Sequence, residues 1–404
     1  MDPKDFTLNG PIISTTKRNL NSFPHTKVFK FTLTFKIMID FHSERNINFS
    51  EILPIILKRN RNLEQSLKKI FPEKCVTVTN YGRTAFQLIL EKHGLRDCKI
   101  MIPAFICSVF YDIFKKNNIT PILIDVEIDT FNISPRTLKK GFDISAKALI
   151  TNNMNGLPCE IEDIKRILTK DQILIEDCAH SLGAYHNKKP VGTSGESAFF
   201  SLYKNLPTIS GGFAITKQPV GQMKRERINF ETIKKLFYYL GKVSNFYKSF
   251  KTDNGLYENE LIYKKVCLCS PNKIVEKLAS FYVKKIDKII KSRKKIAKIL
   301  ISNLKQSNLS FQKNKKNEHV YTYFSFLLPK TLSGKRNKFL KELRKNKVVG
   351  RIVWNKPLSS LYNNRCKNTL EISKRIVGIP INPNYSKKDA DELAKRVLLS
   401  LKKI

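Results

Sequence analysis

The stretch that decides the fold spans residues 172–216 and reads QILIEDCAHSLGAYHNKKPVGTSGESAFFSLYKNLPTISGGFAIT. Its first apolar run, 173–175, is typical of a strand buried on both faces, and two carboxylates follow it, the second being Asp177. A second predicted strand, 197–202, leads to Lys204. Because open α/β sheets bind ligands at the carboxyl ends of their strands, we expect Asp177 and Lys204 to face a ligand at one edge.

This pairing of an acid with a lysine suits one cofactor, pyridoxal phosphate (PLP). A lysine holds PLP as a Schiff base, while a carboxylate keeps its pyridine nitrogen protonated so that the ring can accept electrons. Asp177 is therefore the candidate ring partner, Lys204 the candidate Schiff-base lysine, and Ser201 a candidate hydroxyl donor to the cofactor phosphate. The alternative from spacing alone is a buried aspartate that caps a helix and a lysine on a solvated edge.

Several short motifs follow one another in a fixed order: Glu-Asp-Cys-Ala-His at 176–180, Gly-Ala at 183–184, Val-Gly at 191–192, Ser-Leu-Tyr-Lys at 201–204 and Gly-Gly at 211–212. In this order they resemble the DegT/StrS-type sugar aminotransferases, a family of fold-type I PLP-dependent enzymes. The resemblance covers residues 72–216 well and the C-terminal part more faintly. It implies catalytic roles for Asp177, Lys204 and His180, with His180 on the ring face or near the ring hydroxyl. As the alternative, His180 is a polar residue packed beside the strand end.

A polar turn at 81–84 opens a predicted helix, and the free amides of a helix N-terminus bind anions. The turn resembles the phosphate-binding turn of the family, which makes Gly82, Arg83 and Thr84 the candidates for the cofactor phosphate. On its own, a glycine and a threonine before a helix form only an ordinary N-cap. The glycine pair at 211–212 is expected to allow a close approach of another backbone segment.

One turn, at 103–107, departs from the family pattern. It resembles a Pro-x-Tyr-Thr-aromatic turn whose last residue stacks on the pyridine ring, and Cys107 holds that place here. The resemblance makes Cys107 a cofactor contact. The stacking would then pass to Phe105 or Phe110, or the ring would lie against a smaller group. Trp354, the only tryptophan, is expected to be a domain-core residue rather than a ligand contact.

Strands alternate with helices along the first part of the chain, which predicts an α/β fold with a mainly parallel sheet and right-handed crossovers. The resemblance implies a fold-type I PLP-dependent transferase, with a mixed, mainly parallel sheet in a large domain and a smaller C-terminal α+β domain. The predicted divisions are an N-terminal extension and helix, a large PLP-binding domain, and a linking helix with the small domain, at 1–70, 71–270 and 271–404.

The elements predicted outside the opening stretch are helices over 51–71, 112–117, 161–168, 274–304 and 337–347, and strands over 99–102, 121–125, 148–151, 320–328, 348–354 and 372–381. A Ser-Lys-Lys-Asp sequence at 386–389 is expected to cap the final helix. The segment 28–37 alternates partly like a strand, and it is too short and too charged to span a membrane. Met38 is an alternative start of the protein.

Composition bounds the function further. Among 404 residues, 74 are Lys or Arg and 34 are Asp or Glu, which gives a formal net charge of +40. Such an excess of positive charge is typical of proteins that bind nucleic acid. The lysines are scattered, however, and no zinc-finger or recognition-helix pattern occurs, so no nucleic-acid partner is expected. A lysine-rich coding bias is one explanation, and an anionic nucleotide-linked substrate would also be attracted.

Eight cysteines without a Cys-x-x-Cys pair favour a reducing, cytoplasmic location, and six scattered histidines favour no metal.

The resemblance implies a homodimeric PLP-dependent aminotransferase. It would take an amino group from glutamate or glutamine and deliver it to a keto group, commonly that of a nucleotide-linked sugar for glycan or related amino-sugar biosynthesis. Aromatic residues crowded at 237–247 are of a kind enriched at subunit interfaces. Residues 217–270 lack the Gly-Tyr-Asn-x-Arg motif whose asparagine reaches the partner's cofactor phosphate in many relatives. Two other functions stay open: a PLP sugar dehydratase, in which histidine replaces the lysine, and a non-catalytic binding or regulatory module.

Overall fold

Strands and helices alternate along the first half of the chain and build one seven-stranded sheet. In chain order the strands are β1 (Cys75–Thr79), β2 (Lys99–Pro103), β3 (Thr120–Ile124), β4 (Ala148–Asn152), β5 (Ile173–Asp177), β6 (Tyr185–His186), β7 (Lys189–Pro190), β8 (Ser197–Ser201) and β9 (Gly212–Thr216). Apart from the β6-β7 hairpin, they lie in the order β1-β9-β8-β5-β4-β2-β3. Only β9 runs antiparallel to its neighbours. This sheet confirms the predicted mixed, mainly parallel α/β fold.

The computed structural model describes residues 49–57, 62–221, 223–230, 232–234, 236, 267–314, 316–362 and 366–404. These residues belong to one compact unit, Asp40–Ile404. Helices connect the strands: α1 (Phe49–Leu57), α2 (Leu63–Lys68), α3 (Gly82–Lys92), α4 (Val109–Lys116), α5 (Pro135–Gly141), α6 (Ile161–Lys165) and α7 (Leu202–Asn205). A short parallel pair, β10 (Lys224–Arg225) and β11 (Cys269–Ser270), follows the sheet.

Strand β8 shows how the sequence fills both faces of the sheet. All five of its residues are buried, and successive side chains of a strand point to opposite faces. Phe200 therefore packs with Phe71 and Phe213 in one core, while the adjacent Phe199 packs with Phe86 in the other. With both faces covered, the polar residues that follow β8 are left at its carboxyl end, where the candidate site lies.

The C-terminal part forms a second, smaller sheet. Strands β12 (Ser310–Phe311), β13 (Phe324–Leu327) and β14 (Ile376–Ile379) pair antiparallel, and the helices are α8 (Lys273–Val283), α9 (Ile286–Leu304), α10 (Arg336–Lys345), α11 (Lys367–Arg375) and α12 (Lys387–Leu401). Apolar residues of α9, α10 and α12 pack on this sheet in a common core. The predicted cap of the final helix is confirmed, because Ser386 and Asp389 exchange backbone-to-side-chain hydrogen bonds.

Three predicted elements of this part are wrong in detail. The segment 348–354 is not a strand: Val348 and Arg351 form only isolated bridges, and Lys347 and Trp354 adopt φ values of 61° and 52° that interrupt an extended chain. The helix predicted over 274–304 is two helices, α8 and α9, because Lys285 between them has a non-helical φ of −104° and ψ of 6°. The first part of the strand predicted over 372–381 belongs to helix α11, and only β14 is extended.

Other expectations meet the structure only in part. The predicted helix over 51–71 contains α1 and α2, while residues 58–61 lie outside the described residues, as do 28–37 and 237–247. Cys267 and Cys269 lie close together, with their Cα atoms 5.6 Å apart. Within the described ranges, no helix has the length and apolar character needed to cross a membrane, and no cluster of three metal-ligating side chains occurs. The division at residues 70 and 270 stays a prediction.

Candidate active site

A small cavity lies at the carboxyl ends of β4 and β5. Register aligns Asn152 of β4 with Asp177 of β5, and Lys204 follows β8 directly. The cavity is lined by Ile106, Cys107, Asn152, Asn153, Met154, Asp177, Ala179, His180, Lys204 and Trp354. The structure therefore brings together four residues that the sequence singled out separately: Asp177, His180, Lys204 and Cys107.

Asp177 and Lys204 hold opposite charges in this cavity. Burial raises the pKa of Asp177 to about 6, although the nearby Lys204 ammonium and the N–H of Ala179, 2.9 Å from Oδ1, lower it. Burial by itself lowers the pKa of Lys204, but the acidic groups around it, among them Tyr203, Cys107 and Asp177, raise it above its usual value. At neutral pH the site thus contains a carboxylate and an ammonium that stabilise one another.

His180 lies between Lys204 and two aromatic rings. Its Nε2 is 3.3 Å from Lys204 Nζ, and its Nδ1 accepts a hydrogen bond of 3.3 Å from the N–H of Asn155. Its ring lies edge-on to Tyr323 at 4.8 Å and parallel to Trp354 at 5.7 Å between centroids. The imidazole is therefore fixed from three sides and held against the lysine.

Asn205, the residue after Lys204, was missed by the sequence analysis. Its side-chain N–H groups donate to the carbonyls of Ala179 and Ser201, both at 2.8 Å, and its Oδ1 accepts from Thr322 Oγ1 at 3.0 Å. Its own carbonyl accepts from Arg293 at 3.0 Å. Asn205 therefore fixes the lysine turn to both neighbouring strand ends and to the C-terminal part. Its only sequence signal was an amide next to the candidate lysine.

The candidate phosphate turn lies against the end of β8. A Cβ atom on Gly82 would lie 3.0 Å from the carbonyl of Phe200 and 3.3 Å from Ser201 Cβ. A Cβ on Gly212 would collide with the backbone nitrogen of Gly82, so the predicted close approach at the glycine pair is confirmed. The N-terminus of α3 is thus beside Ser201, and the N–H of Thr84 in its first turn donates to the carbonyl of Tyr81 at 3.1 Å.

The two other residues of this turn have defined contacts. The hydroxyl of Thr84 donates to Asn80 Oδ1 at 2.7 Å and approaches the carbonyl of Cys267 at 3.3 Å. The guanidinium of Arg83 lies 4.2 Å from the ring centroid of Tyr81, and Tyr81 in turn meets Tyr203 edge-on at 6.3 Å. Aromatic contacts therefore connect the turn to the residue that precedes Lys204.

Glu176 and Asp177 are adjacent in sequence but differ in surroundings. Asp177 lines the cavity, whereas the carboxylate of Glu176 accepts hydrogen bonds from the N–H groups of Gly192, Ser194 and Gly195 at 2.8–2.9 Å. Burial raises the pKa of Glu176, while these three donors lower it. Glu176 therefore fixes the loop between β7 and β8 and does not face the cavity.

Replacing Glu176 by alanine is expected to lower the free energy of unfolding by about 3 kcal/mol, because three buried N–H groups lose a charged acceptor. Urea denaturation measures the change. Glu160→Ala is the matched control, since Glu160 is exposed near the same end of the sheet. A loss of stability no larger than that of the control would mean that water replaces the carboxylate without cost.

Two buried polar atoms of the cavity wall have no hydrogen-bond partner within the described part of the chain: Asn152 Oδ1 and Trp354 Nε1. Groups of this kind normally have partners when they are buried, so a polar ligand suits the cavity. Its volume is about 20 Å³, room for a water molecule or two, so a larger ligand enters only if a wall moves. Asn152 could have been found from the sequence, because open α/β sheets bind ligands at the carboxyl ends of their strands. Nothing in the sequence pointed to Trp354.

The two phenylalanines expected near Cys107 are buried elsewhere. Phe105 packs against Phe131 at 6.3 Å, and Phe110 packs against Phe86 at 5.0 Å, in two different cores. Neither lines the cavity. Of the alternatives left open by Cys107, stacking by Phe105 or Phe110 is therefore not favoured, because Phe105, in the bend after β2, and Phe110, in α4, have their rings in the layers beside the sheet.

Comparison with known proteins gives relatives over part of the chain. A segment of 133 residues is 34% identical to dTDP-3-amino-3,6-dideoxy-alpha-D-galactopyranose transaminase of Aneurinibacillus thermoaerophilus, covering 32% of this chain and 36% of that protein. A segment of 166 residues is 30% identical to GDP-4-keto-6-deoxy-D-mannose 3-dehydratase of Escherichia coli O55:H7, covering 39% of this chain and 43% of that protein. The matches thus span less than half the length of these two curated relatives.

The fold and the family are matched over nearly the whole chain. Helicobacter pylori PseC, an aminotransferase involved in the biosynthesis of pseudoaminic acid, superposes with a TM-score of 0.70 at 17% identity, covering 91% of this chain and all of that one. The sequence profile of the DegT/DnrJ/EryC1/StrS aminotransferase family matches residues 55–398. The chain therefore belongs to the DegT/DnrJ/EryC1/StrS aminotransferase family.

Proposed function

We propose that the protein is a PLP-dependent aminotransferase that moves an amino group from glutamate or glutamine to the keto group of a nucleotide-linked sugar. The observation that carries the proposal is the convergence of Asp177, His180 and Lys204 on one cavity whose wall holds two unpartnered polar atoms. Family membership and relatives named for dTDP- and GDP-linked sugars support the substrate class. The net charge of +40 favours anionic substrates of this kind.

The residues of the cavity suit the parts of PLP one by one. Asp177 would hold the pyridine nitrogen, Lys204 the aldehyde carbon and His180 the ring hydroxyl or the ring face. The N-terminus of α3 at Gly82, Arg83 and Thr84, with Ser201 beside it, would hold the phosphate. Cys107 would contact the ring. When bound, PLP supplies an electron sink for a substrate carbanion.

Side chains of the protein itself would move the proton that leaves the substrate carbon. Lys204 would take a proton from the substrate carbon through its Nζ and return it, as a positioned general base and acid. Asp177 would keep its negative charge in a buried place, where it acts most strongly on a nearby cation. His180, held by Asn155 and the aromatic rings, would keep Lys204 in reach.

An absorbance titration tests the function directly. Purified protein with PLP should absorb visible light, and glutamate or glutamine should shift that absorbance as the amino group moves to the cofactor. Keto-sugar nucleotides should restore the first spectrum, and mass spectrometry should find an aminated product. A product that has lost water and gained no nitrogen would indicate the dehydratase, while a protein that binds no PLP would be a non-catalytic module. The presence of Lys204, where that dehydratase would carry histidine, favours amination.

Assembly as a homodimer is part of the proposal. Phe230 and Leu57 are large apolar side chains that are 77% and 68% exposed, of a kind buried at interfaces. Light scattering of the PLP-loaded protein is expected to give twice the 46.7 kDa of the chain, even at low concentration. An active particle of 46.7 kDa would overturn the dimer. A cytoplasmic location stays a prediction with it.

A further inference from the structure

Trp354 closes the candidate active site from the side of the C-terminal part. Its ring centroid is 5.0 Å from Lys204 Nζ, and its plane is inclined by 13° to the ring of His180. Apart from that imidazole, it is the only aromatic ring among the described residues of the cavity wall. The tryptophan therefore lies where a ring attached to Lys204 would need an aromatic neighbour.

The backbone at Trp354 is unusual. Its φ of 52° lies in the left-handed region, which bulky side chains rarely adopt. Such conformations persist where the surrounding structure imposes them, and they cluster at ligand sites. The indole N–H at the same residue is buried without a partner. Two independent features thus distinguish Trp354 from an ordinary core residue, although it also packs against the core beside the sheet.

The size of the cavity gives the third observation. At about 20 Å³ it is too small for a pyridine ring, so one wall must yield when the cofactor enters. Asn152 and Asp177 of that wall are held by strand pairing in the central sheet, and Asn205 holds the segment after β5 through the carbonyl of Ala179. Trp354 belongs to neither strand nor helix, and the backbone of its segment meets β14 at the isolated bridge between Arg351 and Gly378.

From this geometry we propose that Trp354 moves aside when PLP enters and then packs on its ring, supplying the aromatic contact that Cys107 cannot provide. The inference rests on the proposed function and adds a positioning residue to it. A flat indole against a flat, cationic ring gains dispersion and electrostatic attraction beyond what an aliphatic side chain offers.

The dissociation constant of PLP for the cofactor-free protein tests the proposal. Trp354→Leu is expected to raise it about tenfold, while Trp354→Phe, which keeps a ring, should stay within about threefold of wild type. Phe105→Leu and Phe110→Leu are matched controls, because each removes a buried aromatic ring outside the cavity wall. Both controls should bind PLP within about threefold of wild type.

A second measurement does not depend on the folding of the leucine variant. Trp354 is the only tryptophan, so 5-fluorotryptophan gives the protein a single ¹⁹F resonance. That resonance should move when PLP is added and stay in place with inorganic phosphate alone. The inference is wrong if Trp354→Leu binds PLP as tightly as wild type, or if the resonance does not move at saturating PLP. Either result leaves the proposed function standing. A wild-type protein that binds no PLP overturns the proposed function as well.

Discussion

Replacing Lys204 by alanine is expected to slow the reaction of the PLP-loaded protein with glutamate at least about a thousandfold. Among the described residues, Lys204 is the only lysine of the cavity wall, and its Nζ lies 3.3 Å from His180 Nε2. Without it, neither a covalent link to the cofactor nor a positioned proton carrier is left. Single-turnover absorbance after mixing with glutamate, and separately with glutamine, measures the rate without any need to know the acceptor.

The adjacent lysines at 188 and 189 provide matched controls, because both are exposed in the β6-β7 hairpin. Lys188→Ala and Lys189→Ala should keep the visible spectrum and the rate of wild type. Circular dichroism should show that all three variants keep the fold. If Lys204→Ala retained both the spectrum and the rate, the covalent link would belong to another residue and the assignment would be wrong.

The strand-end residues of this site could be predicted because they follow from local patterns. The apolar run before Asp177 and the buried strand before Lys204 each form one strand of the sheet, and parallel register then places their carboxyl ends together. The turn at Gly82 was found in the same way, from a polar turn before an amphipathic helix. Each of these signals lies within about ten residues of the site it predicts.

The contacts that cross from the C-terminal part could not be predicted from such patterns. Trp354 meets His180 and Lys204, and the chain leaves the extended form at Trp354 itself, where the strand pattern over 348–354 predicts that it continues. The hydrogen bond that Thr322 donates to Asn205 joins residues 117 positions apart in the chain, and no sequence periodicity links the two. Sequence periodicity reports which face of an element is buried, and it carries no information about which distant loop covers the end of a strand.

Replacing Asp177 by asparagine is expected to lower the rate of the same half-reaction by about a hundredfold to a thousandfold, the range found when one buried electrostatic contact is removed. An amide has the shape of the carboxylate but cannot balance a pyridinium charge, so the ring accepts electrons poorly. The other cavity contacts remain, and PLP should stay bound. A near-normal rate in Asp177→Asn would indicate that the carboxylate only receives the N–H of Ala179.

The same variant has a pH signature that separates charge from packing. In the cofactor-free protein the pKa of Asp177 is raised to about 6, so below that pH the carboxylate carries a proton that must leave when the pyridinium binds. Affinity for PLP should therefore fall by up to about tenfold per pH unit below pH 6 through this group. The PLP phosphate titrates in the same range, but it does so equally in every variant.

The difference between wild type and Asp177→Asn isolates the aspartate. Asp112→Asn is the matched control, because burial raises the pKa of Asp112 as well and this residue does not line the cavity. Asp112→Asn should follow the pH dependence of wild type, and Asp177→Asn should show a shallower one. If PLP affinity changed equally steeply with pH in all three proteins, Asp177 would not be losing a proton when the charged ring binds. A lost rate in Asp177→Asn would then have to come from a shift of the cofactor in its pocket.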